Sequence, residues 1–280
     1  MVRIAAIGDN DVDCYLSTGQ MYPGGNCFNV AIMASRLGAE AAYIGAVGRD
    51  AAGALMRDTL VLENVSIERL RIEDGKTAYC IIDHKDSDRI FVSYDLGVSH
   101  FTPSEQDIAW LSRFDAAHIG HTSGLDQWMP EFAKKTRISY DFSTRATDEL
   151  IAAMSPHIWL ATVSAGDLQE TEAQALINKI QNAGADWVLA TRGSQGAVLC
   201  HGTQRWEAQP VKVETVDTLG AGDTMITRVL IGLLQGEDPQ SAMENAAKAA
   251  AETCTYYGAV GHGSKIDVPD ALPILERMRA

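Results

Sequence analysis

Residues 217–223, Asp-Thr-Leu-Gly-Ala-Gly-Asp, set two glycines and a carboxylate directly before an apolar run. Met225, Ile226, Val229, Leu230, Leu233 and Leu234 recur at helical spacing, which predicts a helix from about Ala221 to Gln235, ending at Gly236. The first N–H groups of such a helix lack intrahelical partners and carry the positive end of its dipole. Gly220 and Gly222 would let the backbone approach a phosphate oxygen closely. Asp223, in the first turn, would sit beside that phosphate and accept the proton of an attacking hydroxyl, which is general-base work. The plain alternative is that Asp223 caps the helix and the glycines only turn the chain.

Two further strings have the same character. Residues 24–38 open on a glycine pair, continue as an apolar helix through Phe28, Val30 and Ile32, and end at Gly38. Near the start, Val2–Ile7 reads as a buried strand closing at Gly8, followed by Asp9, Asn10, Asp11 and Asp13. Polar residues just past a strand end are where ligands gather in open α/β sheets, although solvated turn residues look the same in sequence. The run Thr191-Arg192-Gly193-Ser194-Gln195-Gly196 is a third glycine turn and weak evidence on its own.

The Asp-Thr-x-Gly-Ala-Gly-Asp string closely matches a signature of the ribokinase-like (PfkB) carbohydrate kinases, and residues 24–38 resemble the other signature of that family. Their order, one near each end, makes the combination specific, and the resemblance covers essentially the whole chain. It implies Asp223 as catalytic base, with Gly220, Ala221 and Gly222 as the anion-stabilising turn. It implies Gly24, Gly25, Asn29 and Asp13 as sugar contacts. Asp9, Asp11 and His121 are candidates at the same end, and Arg89 and Tyr94 are candidates from a lid. Ser164, Thr191, Gly193, Ser194, Gly196, Gly220, Gly222 and Gly258 would bind ATP. The family commonly carries an Asn and, three residues on, a Glu that arrange nucleotide and Mg2+. Ser164 and Asp167 stand at those positions, so Asp167 would reach the metal only through water. Asp217 would sit near a potassium loop. Arg228 stands where the family usually has a small residue, and is expected at a helix crossing or a subunit contact.

The elements that must position these groups have a regular pattern. A strand at Ala41–Val47 and a helix to about Leu62 repeat the opening β-then-α unit. From about Ser104 the alternation resumes: helix 104–113, strand 115–119, helix near 125–135, strand 137–142, helix 147–153, strand 158–163, then strands 187–190 and 197–201. This predicts a doubly wound, mostly parallel α/β sheet with helices on both faces. Residues 77–94 differ: two β-prone runs flank a polar turn, a hairpin signal. With Asp13–Leu16 they would form a small sheet standing off the main domain, or else an ordinary edge hairpin of the main sheet; the family resemblance implies the former, a β lid over the sugar from about 12–23 and 76–98, on a single domain spanning 1–280. A homodimer through that lid is expected. A helix from Ser241 to about Tyr257 and a surface helix at 270–279 close the chain. Tyr256 and Tyr257 read as packing ahead of a base platform. His118 and His121 resemble a metal pair only superficially, because no further ligand stands at familiar spacing. Asp141 and Ser143 sit at another strand end.

Composition sets the outer limits. The chain has 280 residues, 46% of them hydrophobic, enough for one large α/β domain with a substantial core. Five dispersed cysteines form no C-x-x-C pair, so free thiols are expected. A net charge of −14 without a basic run argues against nucleic acid or an anionic membrane as partner. The start reads as a strand rather than a signal peptide, so a cytoplasmic enzyme is expected, with ATP and a small sugar as partners. Two other classes describe glycine-punctuated α/β chains. A dinucleotide oxidoreductase is disfavoured because no G-x-G-x-x-G follows the first strand. A sugar-binding protein without catalysis is opposed by Asp223. Within the PfkB family, Gly8-Asp9-Asn10 with Val12-Asp13, Gly24-Gly25-Asn26 with Asn29-Val30-Ala31, Asp88-Arg89-Ile90-Phe91 with Tyr94 and Gly97-Val98, and Asp141-Phe142-Ser143 resemble the fructoselysine 6-kinases. That likeness implies a fructosamine acceptor, with a plain hexose, pentose or nucleoside as the alternative. A fructosamine carries a secondary ammonium, which Asp9, Asp11, Asp13 and Asp95 would favour.

Overall fold

The computed structural model describes residues 1–85 and 88–279, and the side chains of residues 84–91 and 279 fall outside the description. In chain order the elements are β1 (Arg3–Ile7), β2 (Asp11–Tyr15), β3 (Gln20–Gly24), α1 (Asn26–Arg36), β4 (Glu40–Gly48), α2 (Ala51–Leu62), β5 (Ser66–Glu73), β6 (Tyr79–Lys85) and β7 (Asp88–Asp95). Next come α3 (Glu105–Trp110), β8 (Ala116–Gly120), α4 (Met129–Ala133), β9 (Arg137–Asp141), α5 (Asp148–Met154), β10 (Leu160–Ser164), α6 (Glu170–Asn182) and β11 (Trp187–Thr191). The chain closes with β12 (Ala197–His201), β13 (Gln204–Ala208), α7 (Ala221–Gln235), α8 (Pro239–Thr253), β14 (Ser264–Lys265) and α9 (Leu272–Arg279).

Nine strands form the main sheet in the order β13-β12-β11-β10-β9-β8-β1-β4-β5. The pairings from β5 across to β11 are parallel, and β12 and β13 add an antiparallel edge. Each parallel strand feeds both layers, because successive side chains point to opposite faces. On β1, Ile4 and Ala6 join the core under α1, α7 and α8, whereas Ala5 and Ile7 join the core under α3 to α6. This is the doubly wound sheet that the alternation of apolar runs predicts. From β1 the chain moves to β4 and β5 on one side, then returns to β8 and onward on the other. A crevice therefore opens at the β1/β8 boundary, over the strands' C-terminal ends.

The hairpin read from residues 77–94 is β6 and β7, paired antiparallel, and it belongs to a second sheet in the order β14-β3-β2-β6-β7. Three of the strands have no clear signal in sequence. β5 carries charge on both faces, β13 is mostly exposed, and β14 has two residues. None of the five cysteines is in a disulfide. No helix of the described residues is long and apolar enough to cross a membrane.

Candidate active site

A cavity of about 360 Å3 lies in the β1/β8 crevice, between the strand ends, the N-termini of α1 and α7, and the small sheet. Its acidic wall is built from Asp11 and Asp13 on β2, with Gly25, Asn29 and Cys80 beside them. Gly24 is tucked against this wall, where an added Cβ would lie 2.3 Å from Asp13 Oδ2. Gly220, Gly222 and Asp223 form the opposite wall, and Ser143, Thr162, Ser164 and Thr191 bring hydroxyls from the ends of β9, β10 and β11.

Asp223 is the third residue of α7. The helix starts behind Gly220, at φ 79°, with no side chain capping it. Glycine is required there for two reasons: the left-handed backbone, and Ala259, whose Cβ would lie 2.6 Å from an added one. The Asp223 carboxylate accepts from Asn26 Nδ2 at 2.8 Å and from Asn29 Nδ2 at 2.7 Å. Burial pushes its pKa up to about 7; the Asn29 and Asn26 donors pull the other way, and the neighbouring Asp141 and Asp9 add to the rise. A carboxylate poised near neutrality is suited to accepting a proton from a hydroxyl.

Asn26, the first residue of α1, ties this base to the sheet. Its Nδ2 also donates to Asp141 Oδ2 at 3.2 Å, and its Oδ1 is 2.9 Å from His118 Nε2. Burial pushes the His118 pKa down to about 4, so the imidazole is neutral at pH 7. Asp141 is fixed by Thr162 Oγ1 at 2.8 Å and by the Ser143 N–H at 2.9 Å. Burial holds the Asp141 carboxyl above the usual range. Asp11 is pushed well up by burial first and then by Asp13, Asp9 and Asp223, and its Oδ1 has no hydrogen-bond partner. Asn29 Oδ1 and His121 Nε2, from residues on the cavity wall, are likewise unpartnered.

Residues 2–265 match the sequence family described as pfkB family carbohydrate kinase. The chain belongs to that family. It is 36% identical over 267 residues to the fructosamine kinase FrlD of Bacillus subtilis (strain 168), covering 94% of each chain. It is 33% identical to the fructoselysine 6-kinase of Escherichia coli (strain K12), over 92% of this chain and all of that one (100%). In fold it is similar to an Arabidopsis thaliana ribokinase complexed with ribose and ATP, with a TM-score of 0.83, 19% identity and 99% of both chains covered. It is therefore a carbohydrate kinase with a ribokinase-like fold.

Of the residues expected at the site of this pfkB kinase, Asp9, Asp11, Asp13, Gly25, Asn29, His121, Ser164, Thr191, Gly220, Gly222 and Asp223 are brought to one cavity. Asp9 is nevertheless occupied. It accepts the Asn26 and Cys27 N–H groups at 3.1 and 3.3 Å, and the Thr122 and Ser123 hydroxyls at 3.0 and 2.9 Å. It caps α1 across the fold. Ala221 begins α7 and is not on the cavity wall. Gly193, Ser194 and Gly196 form a turn beyond Thr191, outside the wall. Asp167 is exposed and outside it as well.

Gly258 packs under the small sheet, where an added Cβ would lie 2.6 Å from Tyr22 Cβ. Its N–H donates at 3.0 Å to Asp217, which also accepts the Tyr15 hydroxyl at 2.5 Å and the Leu219 N–H at 3.1 Å. Tyr257 stacks on Tyr22 with ring centroids 6.3 Å apart, in keeping with packing. Tyr94 is 72% exposed on β7, and the side chain of Arg89 lies outside the described residues. Asp95 is exposed and accepts the Gly97 N–H at 2.9 Å, away from the cavity. Sequence reasoning passes over Asn26 because an amide at a helix start reads as an ordinary turn residue; Asp141, which a strand end does signal, proves to be its partner.

Proposed function

We propose that this kinase transfers the γ-phosphoryl group of ATP to the 6-hydroxyl of a fructosamine, a sugar bearing a secondary ammonium. The observation that carries the reading is the composition of the cavity: Asp11 and Asp13 face it beside Asp223, and among the described residues no Lys or Arg lines it. Such a wall favours a cationic sugar over a neutral one. The relatives named for fructosamine and fructoselysine support the same acceptor. Asp11 and Asp13, side by side on the wall from β2, are the acids placed to meet the ammonium. Asp9 is consumed in capping α1, and Asp95 lies outside the cavity.

In this reading the sugar hydroxyl donates to Asp223, which takes its proton as the oxygen bonds to phosphorus and the bond to the ADP oxygen breaks. The N–H groups at the start of α7 face the phosphoryl oxygens, and Gly222 leaves open space there, with nothing within 4 Å of an added Cβ. Ser143, Thr162, Ser164 and Thr191 line the nucleotide side, and the 193–196 turn extends that side beyond the wall. Mg2+ when bound neutralises charge on the polyphosphate. Among the described residues no group of three or more His, Cys, Asp or Glu is placed to hold a metal. Ser164 and Thr191 on the cavity wall would be the residues to meet the waters of such an ion, which the phosphates would carry. The Asp217 carboxylate accepts from Tyr15, Gly258 and Leu219 and so braces the turn ahead of α7, where a potassium loop would lie.

The second sheet is proposed as the sugar lid and as the contact between two copies. Its edge strand β7 exposes Val92 at 45% and Tyr94 at 72%, an apolar pair on alternate residues. Sedimentation of the wild type and of Tyr94→Lys tests this, and a wild type that stays monomeric overturns it. For the acceptor, the test is kcat/KM with fructoselysine, fructose, ribose and adenosine, read as ADP release. Fructoselysine is expected to lead. A preference for fructose or ribose would overturn the fructosamine reading and leave a kinase of plain sugars.

A further inference from the structure

Asn26 spends both amide hydrogens on carboxylates: one reaches Asp223 at 2.8 Å, the other Asp141 at 3.2 Å. That arrangement needs the amide turned one way only. In the opposite orientation its oxygen would face two carboxylates. What sets the orientation lies behind it, in the sheet. His118 on β8 is wholly buried and presents Nε2 to Asn26 Oδ1 at 2.9 Å, while its Nδ1 meets Ser139 Oγ at 3.0 Å on the neighbouring strand. His118 and Ser139 are register partners in the parallel β8/β9 pair, so the sheet itself fixes their approach.

A neutral imidazole has one N–H. If Nδ1 accepts from the Ser139 hydroxyl, Nε2 must carry the proton and must donate to Asn26. We propose that His118, backed by Ser139, is a positioning residue for phosphoryl transfer: it locks the Asn26 amide with its donors toward Asp223 and Asp141. Neither His118 nor Ser139 is among the residues lining the cavity, so their effect on the reaction passes through Asn26. Among the described residues the charged groups facing Asp223 are Asp141 from β9, Asp9 after β1 and Asp11 from β2, all acidic. Against them the Asn26 and Asn29 amides are the donors that hold the base in its ionised form.

The inference rests on Asp223 being the base, and the two ideas separate in one experiment. Asn places its amide where Nδ1 of histidine stood, and Gln where Nε2 stood. His118→Asn therefore keeps the contact with Ser139 and loses the one with Asn26, whereas His118→Gln retains a donor for Asn26. His118→Asn is expected to lower kcat about tenfold, the worth of the Asn26 hydrogen bond to the Asp223 carboxylate that it would leave unheld. Its KM values should stay within about twofold, and the acid limb of kcat/KM should move up by about half a unit to one unit. His118→Gln is expected to restore most of kcat and the wild-type acid limb. Equal losses in both variants with an unmoved acid limb would mean that His118 only fills space, and the proposal would fall. Wild-type behaviour of His118→Asn would overturn it as well. Asp223→Asn, assayed alongside, reports on the base assignment by itself, whatever the His118 pair does.

Discussion

The N-termini of α1 and α7 face the same cavity, each behind a glycine with positive φ, Gly25 at 99° and Gly220 at 79°, and neither has a local side-chain cap. Their orphan N–H groups meet different fates. The first two N–H groups of α1 donate to Asp9, brought from the end of β1, so that helix end is neutralised by the protein itself. At α7 no carboxylate of the described residues caps the end, and Gly222 keeps the approach clear. Two similar glycine strings thus become a scaffold in one case and, in the proposed function, an anion site in the other. The α1 end presents Asn26 and Asn29, whose amides hold the Asp223 carboxylate of the α7 end, the proposed base.

The most severe way to break this comparison is Asp223→Asn, which removes the base and keeps its shape. Loss of a positioned base costs about 10²–10⁴ in rate, so kcat should fall by at least 10² with sugar affinity nearly unchanged. Retention of more than about a tenth of kcat would end the assignment. The same variant has a stability signature of opposite sign. The folded pKa of about 7 lies above the ordinary 3.8, so the folded chain binds the proton more tightly. Wild-type stability is therefore lost as pH rises across the window between them. The neutral Asn escapes that loss, and a turned Asn29 can offer its unpartnered Oδ1 to the new amide. At pH 8 the inactive variant should melt roughly 5 °C or more above wild type.

A crossed pair sharpens the contrast. Asp9→Ala strips the cap from α1 and leaves two N–H groups and two hydroxyls without their acceptor. Loss of a cap is worth about 0.5–2 kcal/mol, and the melting temperature should drop by about 4 °C. Gly222→Ala should do the reverse. Its Cβ meets nothing within 4 Å in the folded chain, so melting should hold steady. The methyl would stand where a phosphate oxygen approaches, so kcat/KM for ATP should fall at least about tenfold. Two variants with the same profile would mean that the helix ends are not divided in this way.

Much of this division is legible in the amino-acid sequence. The boundaries of α7 fall where the apolar spacing and Gly236 place them, and the alternation of short apolar runs gives the parallel sheet. The family signatures point to Asp223 and to the strand ends around it. Missing from the string is the long-range pairing. Asp9 looks like a sugar ligand in sequence because its four donors lie 17 to 114 residues away, and nothing local shows them. The link between Asn26 and His118 cannot be read until the fold sets the start of α1 against β8. Gly258 matches a late family turn, yet its conformation serves Tyr22 and Asp217. β14 cannot be read, since two residues carry no period.

The smallest effect is expected at the far side of α7, and it asks what holds a helix whose N-terminus is left open. Arg228 lies five residues beyond the base and pairs with Glu237 through two hydrogen bonds of 2.7 and 2.9 Å, across the turn into α8. Gly232 leaves the room: an added Cβ would lie 2.6 Å from Glu237 Oε2 and 2.8 Å from Arg228 Nη1. Asn245 of α8 donates to the same carboxylate at 2.8 Å, and Gly236 ends α7 in the left-handed conformation. The expected helix crossing is therefore within the chain. Both side chains are about one-fifth exposed, so the pair is screened only in part, and its loss should cost about 1 kcal/mol. Arg228→Ala should accordingly lower melting by about 2–4 °C at pH 7 with kcat within about twofold. Arg228→Gly should lose about 1 kcal/mol more through helix propensity alone. The Arg228 hydrogen bonds hold the Glu237 carboxyl below its usual range. The stability they confer is thus present above the ordinary carboxylate pKa and is lost as pH falls through the depressed one. Melting curves of wild type and Arg228→Ala should therefore converge in acid. A gap that persists there, or a large loss of kcat with unchanged melting, would place Arg228 in the machinery of the open helix end instead of in its anchor.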